Sequence, residues 1–434
     1  MRTILCAVMA VMAVLPGGGC TDIKRYLSAS FSALSSRDYR LFVVGQGISV
    51  SGVWMQKLGQ AWLVLTLTDS GLMLGVTVAL QQVPTLIFST FGGRLADRYD
   101  RRKILMATAI CGAVPAVTVG ALAGFHVVTI WMVMAAALIA GFVDAVEKPA
   151  RWTVANDIVP PHLLTNAVTL NNILQDSGKL IGPAIGGILI AVAGIPAAFF
   201  VNAATAVPMV VAMALIRPKW VTPRSERAQG GIVDALRYVA HSPVLLAALV
   251  LQAVTGLWGY NFQVLVPLVF RDVLGGDARS VGLGLTCLGL GGVCGGLMLA
   301  GLLKAGSRRQ ICAAALFAAA LATLAVSPTL WFGYCAIAAV GVCSVVYRSI
   351  SGSLLQLASD PQMRGRVMSL YVLAMAGTTP IGAPIQGAIA QLSNARVSLA
   401  VAAVTILVSC VVAYLYLRAK ALDHPVMTEA VRAA

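Results

Sequence analysis

Long uncharged apolar stretches recur along this chain, and they constrain its fold more than any other feature. Between residues 41 and 418 there are repeated runs of about 20 residues with few or no charges, the length that a helix needs to cross a bilayer. Only 11% of the 434 residues are charged, against roughly 25% in an average soluble domain. The sequence therefore predicts an all-α, polytopic membrane protein without an attached soluble domain.

Twelve spans are predicted, six on each side of a polar break. They cover 41–67, 74–91, 104–124, 127–146, 167–193 and 197–216, then 244–270, 281–303, 311–326, 330–350, 367–392 and 397–417. The expected organisation is an N-terminal extension (1–40), a six-helix bundle (41–216), a cytoplasmic linker (217–243), a second six-helix bundle (244–418) and a tail (419–434).

The basic residues separate the loops into two classes. One side holds the N-terminal segment, 94–103, Lys148, Arg151, 217–237, Lys304, Arg308, Arg309, Arg348, Arg364, Arg366 and the tail, and the other holds only Arg271, Arg279 and Arg396. The positive-inside rule places the basic side in the cytoplasm. We therefore expect a plasma (inner) membrane protein with both termini cytoplasmic. Because topology accounts for the net charge of +15, no nucleic-acid partner is expected.

The first twenty residues allow two interpretations. Arg2, the apolar run 4–15 and Cys20 resemble a signal peptide with a lipoprotein-type cysteine. However, Lys24 and Arg25 precede the first span and should stay inside, and the residues before Cys20 form a poor processing site. We favour an uncleaved extension, including the case of a start codon assigned too early, over a processed signal.

The two predicted bundles contain an internal repeat. Five residues recur at an offset of 200 without a gap: Gly141, Pro161, Leu170, Gly182 and Gly187 are matched by Gly341, Pro361, Leu370, Gly382 and Gly387. Single glycine matches are common in a chain with 42 glycines, but five in one register indicate duplication. Two parallel six-span repeats describe the major facilitator architecture, whose substrate site lies between the halves near the midplane.

The segment after the second span carries the first motif. It reads GGRLADRYDRRK at 92–103 and resembles the G-x-L-A-D-R-x-G-R-R signature of the major facilitator superfamily, with Asp100 where glycine is commoner. The resemblance implies a conformational latch formed by Gly93, Asp97, Arg98, Arg101 and Arg102, in which Asp97 helps to hold the two halves together. The alternative is that these are topogenic charges anchored in the anionic leaflet.

A second motif lies in the fifth span. Residues 178–187 read GKLIGPAIGG and fit G-x-x-x-G-P-x-x-G-G, which resembles the motif of major facilitator exporters. The resemblance assigns that role to Gly178, Gly182, Pro183, Gly186 and Gly187. Small residues at i and i+4 also let helices pack closely without any transport role.

Further residues resemble one branch of the superfamily, which includes the enterobactin exporter and macrolide efflux proteins. The matching pieces are PAR at 149–151, VP at 159–160, NA at 166–167 and LN at 170–171, with WMQ at 54–56 in the first span. The resemblance covers the chain from about Phe31. It implies secondary active export of a siderophore or drug-like compound by alternating access.

Charged residues inside the spans are the candidates for energy coupling, because charges in hydrocarbon are costly and usually functional. The candidate proton carriers are Asp144, Asp176 and Glu147; the candidate groups for a substrate or an ion pair are Lys57, Lys179 and Arg348. Asp176 and Lys179, three residues apart, can pair on one helix face. We expect Lys57 to pair with Asp144 or Asp176, although it could instead snorkel towards the membrane surface.

No cofactor, metal or enzymatic activity is expected. The nine cysteines include no CxxC pair, and no P-loop, H-E-x-x-H or G-x-S-x-G pattern occurs. The expected partners are a small-molecule substrate, protons and the lipid bilayer, and the expected state is a monomer. The alternatives are an importer or facilitator on the same fold, or a membrane sensor that does not transport.

Overall fold

The computed structural model of the protein describes residues 32–216, 232–299 and 305–423. These residues are almost wholly helical and contain no strand. The long helices are α1 (Arg37–Thr68), α2 (Gly71–Arg98), α3 (Arg101–Gly124), α4 (Ile130–Thr153), α5 (Leu164–Ala193), α6 (Ile195–Leu215), α7 (Pro243–Val273), α8 (Ala278–Leu299), α9 (Ser307–Ala325), α10 (Leu330–Leu357), α11 (Arg364–Leu392) and α12 (Ala395–Asp423). The predicted all-α class with twelve long helices is confirmed.

Eleven helices in the described part of the chain are long and apolar enough to cross a membrane. The remaining long helix is α1, whose 32 residues exceed the required length. It carries Gln46, Gln56, Lys57 and Gln60, which lower its apolar character. Gln46 and Gln60 are buried in the protein, so α1 turns these polar groups towards neighbouring helices rather than towards lipid.

Several helices run past their predicted ends. α2 continues to Arg98, α4 to Thr153 and α10 to Leu357. Asp97 therefore lies on a helix and not in a loop, and Arg348 lies well inside α10 and not at its end. The reason is that polar residues continue a helix into the membrane interface, where water satisfies them, so hydropathy underestimates helix length.

The connections divide between the two ends of the bundle. We call the end with residues 69–70, 194, 274–277 and 393–394 the Asp69 side, and the end with residues 99–100, 154–163 and 358–363 the Asp97 side. Part of the predicted linker forms a helix, Ile232–His241. Its Tyr238 hydroxyl lies 3.0 Å from the Asp360 carboxylate. The rest of the linker, the signal-like segment and the end of the tail lie outside the described residues.

Three pairs of repeat glycines have equivalent positions in the two sets of helices. A Cβ on Gly141 would overlap the Gln81 carbonyl of α2, and one on Gly341 would overlap the Leu288 carbonyl of α8. The second pair acts between the first and fifth helices of each set, where Gly182 packs on α1 and Gly382 on α7. The duplicated glycines are thus required because helix backbones approach closely there.

The third glycine pair joins the two sets of helices. Gly187 of α5 packs against Ala278 of α8, and Gly387 of α11 packs against Gly71 of α2. α5 with α8 and α2 with α11 form the main contacts between α1–α6 and α7–α12. Both glycine contacts lie near the Asp69 side, so the two sets of helices meet most closely at that end.

The two sets differ in the continuity of their first and fifth helices. α1 and α5 are uninterrupted, whereas α7 breaks after Gly259 and resumes at Phe262, and α11 breaks after Ala376 and resumes at Thr379. Pro380 begins the second part of α11 and has no N–H to continue the helical ladder. The break in α7 positions the side chains of one wall of the cavity described next.

Candidate transport cavity and its charged residues

A cavity of about 450 Å³ lies between the two sets of helices, within the range typical of small-molecule sites. α1 and α5 supply one wall, and α7, α8 and α10 supply the other. Its lining is mainly apolar or small and includes Trp54, Pro183, Tyr260, Phe262, Gln263, Leu285, Leu288, Val293, Ser344 and Val345. Three charged residues also line it, namely Asp176, Lys179 and Arg348.

Aromatic residues at the break in α7 form one face of this central cavity. The rings of Tyr260 and Phe262 are 6.0 Å apart in an edge-on arrangement, and both pack on Phe317 of α9 behind them. The Tyr260 hydroxyl donates a hydrogen bond to the Ser344 carbonyl, at 3.0 Å. Because these rings are held from behind, they offer a rigid apolar surface to a ligand.

Asp176 and Lys179 form the ion pair expected from their spacing. The Lys179 Nζ lies 2.8 Å from an Asp176 carboxylate oxygen. The side chains are 42% and 50% exposed for Lys179 and Asp176 respectively, so the pair projects into the cavity. It is accessible to water and to a ligand, unlike a pair that only holds helices together.

Arg348 faces the same cavity from α10. Its backbone carbonyl accepts a hydrogen bond from the Tyr371 hydroxyl, at 3.0 Å. Among residues 32–216, 232–299 and 305–423, its guanidinium makes no hydrogen bond or ion pair. The candidates Lys179 and Arg348 are thus brought together in one cavity, and Asp176 is the one carboxylate among the described residues that line it.

A second, smaller cavity of about 70 Å³ lies within α1–α6, and we call it the N-half cavity. It is polar, with Gln56, Lys57, Gln60, Gln81, Asp144, Glu147 and Asn202 in its lining. The three candidate proton carriers are therefore divided: Asp144 and Glu147 line the N-half cavity, and Asp176 lines the central one. The sequence did not distinguish these two locations.

The acids of the N-half cavity are paired along α4. Asp144 binds Lys148 at 2.9 Å, and Glu147 binds Arg151 at 2.7 Å, both at the i, i+4 spacing. These four side chains are each at least two-thirds buried.

Lys57 lies between the two cavities. It lines the N-half cavity with Asp144, but its ammonium makes no ion pair with the described residues and lies 4.6 Å from the centre of the Trp54 ring. Trp54 lines the central cavity. The pairing expected for Lys57 is absent from this structure, because Asp144 and Asp176 are already bound by lysines of their own helices.

The latch residues fall into two groups. Gly93 is buried near the end of α2, while Asp97 is exposed and makes no hydrogen bond or ion pair with a described residue. Arg98 stacks beside the ring of its neighbour Tyr99, at 5.8 Å. The neighbouring Gly92, which the motif did not single out, is the more constrained glycine, since a Cβ there would overlap the Ala145 carbonyl.

Arg101 and Arg102 anchor the start of α3 to the same set of helices. Arg101 binds Asp157 at 2.7 Å, and Arg102 binds Asp100 at 2.9 Å. Burial raises the pKa of Asp157, and the Arg101 charge opposes that rise in part. Burial also acts to raise the pKa of Asp100, but hydrogen bonds from Arg102 outweigh it and lower that pKa below its ordinary value. These arginines thus serve a structural role in addition to any role in a latch.

The exporter-motif residues face two different neighbours. Gly178, Gly182 and Gly186 form one stripe that packs on α1, where added Cβ atoms would contact Val50, Ser51 and Met55. Pro183 and Gly187 face α8 instead. The motif therefore lets one helix pack closely on both sides, within its own set and across to the other.

Polar contacts across the Asp69 side were not found from the sequence. The Ser70 and Gln391 side chains are 2.6 Å apart, and Arg271 binds Asp69 at 2.9 Å. Together with the Gly187 and Gly387 contacts, they close the central cavity on this side. Of these four contacts, only the two made by glycines could have been found from the sequence, because Gly187 and Gly387 belong to the internal repeat.

Comparisons with known proteins agree with this architecture. The family model described as transmembrane secretion effector matches residues 28–429. The staphyloferrin A transporter of Staphylococcus aureus is 27% identical over 262 residues, which are 58% of this chain and 64% of that protein. The multidrug efflux pump Tap of Mycolicibacterium fortuitum is 26% identical over 376 residues, covering 83% of this chain and 91% of that protein.

A solved structure gives the same fold. A bacterial homolog of the human lysosomal transporter Spinster, in an inward-facing and occupied conformation, superposes with a TM-score of 0.69 at 14% identity, covering 88% of this chain and 98% of that one. The resemblance predicted from the motifs is thereby confirmed at the level of the superfamily and its exporter branch.

Proposed function

The chain belongs to the transmembrane secretion effector family of the major facilitator superfamily, and from this premise we propose that it exports a small molecule by alternating access, in exchange for protons. The named relatives are a staphyloferrin A transporter and a multidrug efflux pump, and we propose a siderophore or drug-like compound as the class of cargo. We further propose that the chain acts as a monomer in the inner membrane, without a cofactor.

The central cavity is the observation that supports this proposal most directly. It lies between the two sets of helices, which we propose as six-helix halves of 41–216 and 244–418. Close glycine contacts and the Ser70–Gln391 pair close it on the Asp69 side. Rocking the halves about this cavity would open it there and close it on the Asp97 side, as alternating access requires.

The orientation follows from the charges. The basic loops lie on the Asp97 side, so we assign that side, and both termini, to the cytoplasm. In this conformation the cavity is then closed towards the outside, and Asp97 has no ion-pair partner among the described residues, as expected of an open latch. We propose that Asp97 finds that partner only when the halves close on the cytoplasmic side.

Proton coupling is proposed for the N-half cavity. Asp144 and Glu147 are partly buried carboxylates whose proton affinity depends on their lysine and arginine partners. Lys57 lies beside Asp144 on one side and on the Trp54 ring on the other. A substrate that moves Trp54 in the central cavity would therefore move a positive charge relative to Asp144, which links the two cavities.

The experiment is transport into inside-out membrane vesicles that contain the protein. Uptake of ethidium and of 2-naphthoate is measured with and without a proton gradient that is acid inside. We expect at least one tracer to accumulate, and the gradient to stimulate it. Accumulation only in right-side-out vesicles would identify an importer, uptake that never exceeds equilibration would identify a facilitator, and no transport of either tracer would contradict the proposal.

A further inference from the structure

The charges of the central cavity do not balance. One carboxylate, Asp176, faces two cationic groups, Lys179 and Arg348, which leaves a net charge of +1. Asp176 is bound to Lys179 at 2.8 Å on the same helix. The charge left over is therefore that of Arg348, on the opposite wall.

The sequence offers Arg348 no carboxylate from its own half at this depth. There is no aspartate or glutamate from Ala278 to Ser359, nor from Pro361 to Leu422. Asp360, between these stretches, lies in the connection after α10 and contacts the Tyr238 hydroxyl. Asp272 lies near the Asp69 side, beside Arg271. Arginine stays protonated in proteins, and an uncompensated charge within the membrane is costly and usually functional.

The surroundings of Arg348 indicate which kind of ligand would neutralise its charge. A planar guanidinium binds a carboxylate through two parallel hydrogen bonds. The neighbouring part of the same wall is apolar and aromatic, with Tyr260 and Phe262 held by Phe317. A ligand that satisfies both carries an anionic group at one end and an apolar, preferably aromatic, body at the other.

We infer that the transported substrate is an amphipathic organic anion, whose carboxylate binds Arg348 and whose apolar part lies on the Tyr260–Phe262 surface. This inference rests on the proposed transport function and specifies its substrate class. Lys179 lines the same cavity and is the second cation available to the anion. Asp176 already binds Lys179, so the Asp176 carboxylate and the carboxylate of the substrate compete for the same ammonium group.

This competition gives two variants with opposite signs. Arg348→Gln removes the free cation and should weaken binding of a carboxylate about tenfold or more. Asp176→Asn removes the competing charge, frees Lys179 and should strengthen binding of the same carboxylate several-fold. A cationic substrate would reverse both signs, because Asp176 would then be its only counter-charge.

The test measures binding to the purified full-length protein in nanodiscs, with empty nanodiscs subtracted. The probes are naphthalene, biphenyl and anthracene, each as the carboxylate, the uncharged methyl ester and the aminomethyl cation. We expect the carboxylate of at least one ring system to bind about tenfold more tightly than its ester and its cation. Arg308→Gln, which removes an exposed arginine at the start of α9, is the matched control and should change nothing.

The inference is overturned if no carboxylate binds more tightly than its ester and cation, or if Arg348→Gln binds the carboxylates like the wild type. Arg348→Lys keeps the charge without the planar fork and should give an intermediate affinity, which also shows that the site is folded. Transport distinguishes the two proposals. If the carboxylates bind in an Arg348-dependent way but no probe is exported, only the export proposal is refuted. If an ester or a cation is exported, and Arg348→Gln leaves that export unchanged, only the proposed substrate class is refuted.

Discussion

α1–α6 and α7–α12 pack their helices alike but carry different chemistry. The first set contains the polar N-half cavity, the partly buried acids Asp144 and Glu147, and uninterrupted first and fifth helices. The second set has broken helices α7 and α11, an aromatic surface and Arg348, which has no ion-pair partner among the described residues. The duplicated glycines therefore make equivalent backbone contacts in both sets of helices, whereas the charged residues differ between the two sets.

The difference separates positions fixed by backbone packing from positions that only line a cavity. Close backbone approach tolerates only glycine, so Gly141 and Gly341 remain matched. Side chains that line a cavity are free to diverge, because no neighbouring backbone fixes their size. We therefore expect glycine substitutions to act equally in the two halves, and charge substitutions to act unequally.

The largest effect is expected where the halves are alike. Gly141→Ala and Gly341→Ala would each place a methyl group against a backbone carbonyl and should lower the free energy of unfolding by about 2–3 kcal/mol. The measurement is equilibrium unfolding of the purified protein in mixed micelles. Gly365→Ala, with nothing within 4 Å of the new methyl, is the control. A loss in only one of the pair would show that the packing is not equivalent.

The next largest effect is expected for an acid that occurs in only one of the two sets of helices. Asp144→Asn removes the proposed proton carrier of the N-half cavity and should abolish stimulation by the proton gradient, a loss of about tenfold in gradient-driven transport. Asp176→Asn should retain gradient stimulation, because that residue lies in the other cavity. Uptake into inside-out vesicles measures both. If Asp144→Asn keeps gradient-driven transport, the coupling proposal is wrong.

A smaller effect is expected at the junction of the halves. Gly187→Ala and Gly387→Ala add a methyl group between α5 and α8 or between α2 and α11, and should disfavour closure of the Asp69 side by about 1–2 kcal/mol. The readout is the labelling rate of a cysteine introduced by Ser70→Cys, with a membrane-impermeant maleimide. Both variants should accelerate labelling. Unchanged rates would mean that these glycines do not control closure.

The smallest effect is expected for the ion pair that spans the same side. Asp69 is 83% exposed in its pair with Arg271, and exposed pairs contribute at most about 1 kcal/mol. Asp69→Asn should therefore change the melting temperature little and the Ser70→Cys labelling rate less than either glycine variant does. A larger effect than that of Gly387→Ala would assign closure to charge instead of packing.

Local features of the site were predictable, and relations between helices were not. The Asp176–Lys179 pair follows from a spacing of three on one helix, which fixes the separation whatever the rest of the chain does. The pairing of Lys57 stays a prediction: no ion pair is formed in this conformation, and its formation depends on how α1, α4 and α5 pack together. The same limit applies to Arg348, whose helix extends beyond the predicted span and places it in the cavity.

The sequence by itself determined that the chain is a twelve-helix membrane protein of two related halves, because apolar length, charge placement and repeated glycines are properties of short segments. Only the tertiary structure decided that Asp144 and Asp176 line different cavities, that Trp54 and Lys57 lie between those cavities, and that Arg348 has no partner among the described residues. These relations depend on the rotation and separation of helices far apart in the chain. The physical reason is that close packing fixes those rotations only when all the helices are assembled.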